Sequence, residues 1–151
     1  MIPLIIQVAI FVSYVAFILY RYGVLPSISE SWYVLPQNQK VLFTLFTWGV
    51  GIPMLFYDSE ALFIAGSALT FVGAATQFKT TAAFTKQVHY IGAMVGIVVP
   101  LLYFGFASKN WVPLIAQAVG TATVMLAKTP NKIWWTEIVA FVCVLTGMLT
   151  L

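Results

Sequence analysis

Two ionisable side chains interrupt otherwise uncharged stretches of this sequence, and they are the first candidates for chemistry. His89 lies three residues after Lys86, and Glu137 lies five residues after Lys132, each near the start of a long apolar run. An ionisable group in a membrane span costs about 2.5 to 3.5 kcal/mol at the centre, so such groups are candidates for function. At a helical rise of about 1.5 Å per residue, His89 and Glu137 would lie about 5 to 8 Å inside the same end of their helices.

Three further polar residues are predicted to lie at that same end. Gln77 falls at the end of an apolar run, while Ser29 and Glu30 belong to a polar segment that follows the first run. Near a surface, none of these groups would have to be buried without a partner. We therefore predict a ligand-binding cluster formed by Ser29, Glu30, Gln77, His89 and Glu137.

A purely structural interpretation competes with this prediction. Near a membrane surface, Glu137 can form an ion pair with Lys132 or Lys86. His89 can donate a hydrogen bond to a backbone carbonyl group. Such contacts would only hold helices together, and the sequence leaves both interpretations open.

Several kinds of active site are excluded or disfavoured by the residues present. The chain has no Gly-rich phosphate loop and no His-Glu-x-x-His motif, and with one His a zinc site would need carboxylates for most of its ligands. We expect no metal and no cofactor. A triad of Ser29, His89 and Glu137 is formally available, but no nucleophile-elbow motif accompanies the serine. Whether the protein is an enzyme stays open.

The composition indicates which elements must position these side chains. Of the 151 residues, 62% are hydrophobic, 16% are aromatic and only 7% are charged, whereas a soluble domain carries about 25% charged residues. We expect an integral membrane protein whose residues 1–151 form a single transmembrane domain, with membrane lipids as partners. The Lys and Arg residues are scattered singly, which argues against a nucleic acid partner.

Charged residues divide the chain into six apolar runs of about 17 to 22 residues, each long enough to cross a hydrocarbon core of about 30 Å as a helix. We predict an all-α polytopic membrane protein, a bundle of six transmembrane helices in three antiparallel hairpins. In the one long connection, Ser27 and Glu30 have capping-box spacing and predict a short interfacial helix. The six predicted spans are residues 1–20, 41–57, 61–78, 87–108, 110–127 and 133–151.

The basic residues also predict an orientation. Six of the seven lie in the first, third and fifth connections, residues 21–40, 78–87 and 128–132, and Lys109 is the exception. The excess of Lys and Arg in cytoplasmic loops of membrane proteins places these three connections in the cytoplasm and both termini outside.

Small residues in the fourth apolar run predict close helix packing. Gly92 and Gly96 have the Gly-x-x-x-Gly spacing that lets two helices approach in lipid. We expect this face to be used within the chain. A homo-oligomer or a complex with another membrane protein is the alternative use of such a face.

Four short segments, in chain order, resemble the DRAM-like family of six-helix membrane proteins. They are residues 26–30 (Pro-Ser-Ile-Ser-Glu), 36–43, 88–93 (Val-His-Tyr-Ile-Gly-Ala) and 137–141. This family comprises the damage-regulated autophagy modulators and relatives linked to GPI-anchor lipid remodelling and membrane-lipid organisation. Glu30 stands where the family has aspartate, and the family is usually drawn with the serine-aspartate segment on the luminal side, opposite to the orientation that the lysines predict.

The functional hypothesis that follows is binding or remodelling of a lipid headgroup in a polar pocket near one membrane surface. The resemblance to the DRAM-like family implies it, and the shared depth of His89 and Glu137 favours it. Two alternatives stay open. A small ion or proton channel or transporter would place polar groups near the midplane, and a non-catalytic membrane assembly subunit would use the packing faces for a partner.

Overall fold

The computed structural model describes residues 2–79 and 83–151, and within these ranges all regular secondary structure is helical, with no strand. The predicted all-α class is therefore confirmed. Each of the six apolar runs contains one long helix, and the first connection contains an additional short one. The helices are α1 Ile2–Tyr22, α2 Ser31–Val34, α3 Val41–Met54, α4 Glu60–Ala74, α5 Ala83–Leu102, α6 Val112–Leu126 and α7 Lys132–Met148, with a 3₁₀ turn Gln37–Gln39 and a π-helical segment Tyr103–Ala107 that continues α5.

Two of the described helices are long and apolar enough to cross a membrane. They are α1, with 21 residues, and α5 with its π-helical continuation, with 25 residues. The other long helices are shorter than the apolar runs predicted. The 14-residue α3, for example, rises about 21 Å, which is less than the roughly 30 Å thickness of a hydrocarbon core.

Turns set these shorter lengths. After α4, Ala75 leaves the helical conformation (φ −97°, ψ 46°), so the helix ends at Ala74, four residues before Phe78, the predicted end of the span. After α3, the chain turns through Leu55 to Tyr57, whose backbone N–H groups bond to carbonyl groups only three residues earlier. The apolar runs therefore include turn residues as well as helix.

The helices pack mainly in chain order. Helix α1 packs against α3, α3 against α4, α4 against α5 and α6 against α7, while α7 also contacts α1 and α5. Glycines allow the closest approaches: a methyl group added at Gly66 would lie 2.5 Å from the carbonyl oxygen of Gly51. One added at Gly92 would lie 2.9 Å from the carbonyl oxygen of Ala68. The Gly-x-x-x-Gly face of α5 thus packs against α4 within the chain.

The outer surface of the bundle is apolar as well as its core. Every long helix exposes large hydrophobic side chains, and in α6 only Pro113 is buried. A soluble protein seldom exposes large contiguous apolar patches. One exposed example from each long helix, in chain order, is Ile5, Leu45, Phe63, Met94, Val119 and Val142.

The three connections rich in Lys and Arg meet at one end of the bundle, which we call the basic end. The backbone N–H of Lys79 donates to the hydroxyl of Tyr33 at 2.6 Å. The amide of Asn131 donates to the carbonyl oxygen of Val24 at 2.9 Å. These contacts tie the third and fifth connections to the first. Six of the seven Lys and Arg residues therefore lie at this end.

Candidate functional site

A cavity of about 100 Å³ lies at the basic end, and we call it the end cavity. Four of the five predicted site residues line it. Gln77 does not, because the chain turns after α4 and leaves this side chain on the exposed surface of the turn. The lining residues are Ser27, Ser29, Glu30, Phe78, His89, Tyr90, Ala93, Ile133 and Glu137.

One wall of the end cavity is the segment 27–31, which folds into the bundle instead of lying flat on its surface. Ile28 is 2% exposed and Ser31 is fully buried. The Ser31 hydroxyl donates to the Ile28 carbonyl at 2.6 Å. Because a hydroxyl has one hydrogen, the Tyr14 hydroxyl, 2.5 Å from Ser31 Oγ, must be the donor in that second bond.

The depth of this segment follows from the position of Tyr14. Tyr14 lies eight residues before Tyr22, the end of α1, and eight residues of helix rise about 12 Å. The segment 27–31 therefore turns back into the bundle beside α1, and we call it the re-entrant segment. No local sequence feature predicts this path, because Tyr14 lies in an apolar run and its hydroxyl could find a hydrogen-bond partner in many ways.

Glu137 reaches the same segment from α7. Its carboxylate accepts a hydrogen bond from the Ile28 backbone N–H at 2.5 Å. The predicted ion pairs with Lys132 or Lys86 do not form: the ammonium group of Lys132 instead donates to the Met125 carbonyl at 2.5 Å, and Lys86 is exposed. Within residues 2–79 and 83–151, the carboxylate of Glu137 has no cationic partner.

Glu30 is the other carboxylate at the end cavity, and it does have a cationic partner. Its Oε1 lies 2.8 Å from the Nζ of Lys79, the one ion pair of the described chain. The backbone N–H of Glu30 donates to Ser27 Oγ at 3.2 Å, which is one half of the predicted capping box. The Glu30 side chain thus joins the re-entrant segment to the turn after α4.

His89 faces the end cavity from α5 and is 1% exposed. Its Nδ1 lies 3.0 Å from the carbonyl oxygen of Ala75; because a carbonyl can only accept, Nδ1 carries the hydrogen. The ring stacks on Phe78 with 4.0 Å between centroids. The predicted hydrogen bond from His89 to a backbone carbonyl therefore exists. No ion pair joins His89 to Glu137, and the two residues face a common cavity.

A second, smaller cavity of about 30 Å³ lies deeper in the bundle. Ser29, Ala93 and Glu137 line both cavities. The remaining lining of the deeper cavity is apolar except for Thr47. Its volume is about that of one water molecule. Glu137 therefore lies between the end cavity and the apolar interior of the bundle.

Two kinds of chemistry lack support in this arrangement. In the part of the chain that the structure describes, no group of three or more His, Cys, Asp or Glu side chains is placed to hold a metal ion. There is also no hydrogen bond between Ser29 and His89 in this part, so the formal triad is not assembled. What the end cavity offers is a set of polar groups that could bind a small ligand.

Comparison with known proteins finds no matching family model, no matching curated protein and no matching solved structure. The resemblance to the DRAM-like family stays a prediction from the four short segments.

Proposed function

We propose that this chain is a small multi-pass membrane protein that binds a lipid headgroup in the end cavity. The membrane location is supported by two helices of spanning length, α1 and α5. It is supported further by the apolar side chains that every long helix exposes, since lipid tails can cover these side chains at no cost in hydration.

The proposal extends to all six long helices as spans. Helices α3, α4 and α6, with 14 or 15 residues, are short for a hydrocarbon core of about 30 Å. Local thinning of the bilayer and the turn residues at the helix ends would accommodate the difference at modest cost. The basic end would face the cytoplasm, because it holds six of the seven Lys and Arg residues.

The observation that carries the binding proposal is the end cavity itself. Ser29, His89 and Glu137 reach it from three different parts of the fold. Counted from the first residues of α5 and α7, His89 and Glu137 lie six and five residues into their helices, a depth of about 8 to 9 Å. A lipid headgroup bound at the basic end could reach this depth without leaving its leaflet. The resemblance to the DRAM-like family favours the same function.

The test is lipid retention through purification, measured by mass spectrometry. His89→Ala and Glu137→Gln should each abolish retention of the bound lipid, and the double variant should do no further harm, because groups that act as a unit are not additive. Glu60→Gln is the matched control, since Glu60 is an exposed carboxylate at the start of α4, away from the cavity. Unaltered retention in both cavity variants would contradict the proposal.

A second candidate function, the assembly subunit, is favoured by one observation. Helix α6 buries only Pro113 and packs mainly against α7, which leaves most of its apolar surface available to another transmembrane helix. Gln117, the polar residue near the middle of α6, donates to Thr121 in the same helix at 2.9 Å. It therefore gives no support to the channel or transporter alternative.

A further inference from the structure

We infer that the end cavity takes a primary ammonium group, as found in an aminoethyl lipid headgroup, in preference to an anionic or a trimethylammonium headgroup. This inference rests on the proposed headgroup site and names the chemistry of its ligand. Three features carry it: the charges that face the cavity, the hydrogen-bonding groups that remain free to serve a ligand, and the volume.

The charges facing the cavity are negative. Glu30 and Glu137 both line it, and no Lys or Arg does. Lys79 meets Glu30 from the turn after α4, with 46% of its own side chain exposed. No other ion pair is present in the described ranges, so nothing balances Glu137. An anionic group entering this cavity would meet two carboxylates, whereas a cation would supply the charge that Glu137 lacks.

The hydrogen-bonding groups around Glu137 include acceptors that are free to serve a ligand. The Ile28 backbone N–H, the donor nearest to the carboxylate, is already used by it. The Nδ1 hydrogen of His89 is donated to Ala75, so the neutral ring adds no N–H donor to the cavity. Hydroxyl and carboxylate oxygens of Ser29 and Glu137 remain as acceptors on the lining. A primary ammonium group brings three N–H donors, which match such acceptors.

The aromatic side chains do not form a cage for a quaternary ammonium group. Such a cage offers open ring faces to the cation. Phe78 lines the cavity but stacks on His89 with 4.0 Å between ring centroids, so one of its faces is covered. Tyr90 packs edge-on against both Phe78 and His89. One face of Phe78 is thus committed to His89, and the rings pack on one another instead of surrounding a common centre.

The volume of the cavity agrees with a small cation. About 100 Å³ is roughly three times the 30 Å³ that a water molecule occupies in the liquid. The aminoethyl group has three non-hydrogen atoms, one nitrogen and two carbons. A trimethylammonium-ethyl group has six and is the bulkier of the two.

The experiment uses the full chain in nanodiscs of phosphatidylcholine that contain equal minor fractions of phosphatidylethanolamine and phosphatidylglycerol. The protein is then extracted, and the lipids that it retains are quantified by mass spectrometry. We expect phosphatidylethanolamine to be enriched about tenfold over its supply, the scale of one charge-assisted hydrogen bond. Glu137→Gln should abolish this enrichment. Glutamine has the same size and its Oε1 can still accept from Ile28, so the substitution removes the charge and keeps the contact. Glu60→Gln should change nothing.

The outcomes separate the inference from the proposal beneath it. Enrichment of phosphatidylglycerol or phosphatidylcholine that disappears in His89→Ala would keep the headgroup site and overturn the ammonium inference. No enrichment of any lipid, or enrichment that survives both cavity substitutions, would overturn the proposed function itself. Displacement of the retained lipid by an equimolar amount of free ethanolamine would support ammonium recognition and assign it to a soluble amine, against the lipid proposal.

Discussion

Replacement of Gly66 by alanine tests the closest approach of two helices in this fold. A methyl group at Gly66 would lie 2.5 Å from the carbonyl oxygen of Gly51 on α3 and 2.8 Å from Cβ of Met54. Both are parts of the neighbouring helix that cannot rotate away. To restore an ordinary contact of 3.4 Å to that carbonyl oxygen, α3 and α4 must separate by about 0.9 Å.

The expected magnitude is a balance of two effects. Forcing an extra methyl group into a packed interface costs about 1 to 3 kcal/mol, and an immovable backbone carbonyl places this site in the upper half of that range. Alanine has a higher helix propensity than glycine, which raises the free energy of unfolding by up to about 1 kcal/mol. Gly66→Ala should therefore lower the free energy of unfolding by about 1 to 2 kcal/mol, or the melting temperature by about 2 to 8 °C for a chain of this size.

The assay is thermal unfolding in detergent with a matched control on α3. Gly49→Ala makes the same chemical change, but the new methyl group would meet only the flexible side chain of Ile10. This variant should melt at or slightly above the wild-type temperature. If Gly66→Ala melts at the wild-type temperature or higher, α3 and α4 do not approach as the structure has them, and the packing argument is refuted.

Two further predictions concern the re-entrant segment and the orientation. Tyr14→Phe removes the hydroxyl that donates to Ser31 and should lower the free energy of unfolding by about 0.5 to 1.5 kcal/mol. Tyr20→Phe, at an exposed position, should leave the free energy of unfolding unchanged. Equal melting temperatures of the two variants would argue against the buried hydrogen bond. For the orientation, cysteines are placed at the exposed positions Asp58 and Thr129 in a Cys143→Ala background. The cysteine at position 58 should react with an impermeant maleimide from outside the cell, and the cysteine at position 129 from the cytoplasm. The reverse pattern would contradict the orientation that the lysines predict.

The helical class of this fold could be predicted from the sequence because one property, the length of uncharged apolar runs, depends little on tertiary contacts. The ends of the helices could not. An apolar run shows where a helix can extend in lipid, but a turn residue can be as apolar as a helical one. Helix α4 ends at Ala74 and the chain then turns, which brings Phe78 against His89. That stacking is a tertiary contact with no local signal in the sequence.

The part of the candidate site that could be predicted is the depth of His89 and Glu137, because the rise of a helix sets how far a residue lies from the start of that helix. His89 and Glu137 lie at similar distances from the starts of their helices, as the sequence predicts, and both line the end cavity. The ion pairs with Lys132 or Lys86, which the purely structural interpretation allowed for Glu137, are absent from the described chain, and a backbone donor, the Ile28 N–H, takes their place. The Ile28 N–H became available only through the re-entrant path of residues 27–31.

The fold does not require a negative charge at Glu137, and this leads to a last prediction. Its hydrogen bond in the described chain is the one accepted from Ile28, which a neutral glutamine would accept equally well. A carboxylate withdrawn from water without a cation carries a desolvation cost of several kcal/mol. Glu137→Gln should therefore raise the melting temperature of the lipid-free protein while abolishing lipid retention, the trade of stability for function typical of binding sites. A fall in both the melting temperature and the lipid retention would instead show that the carboxylate stabilises the fold.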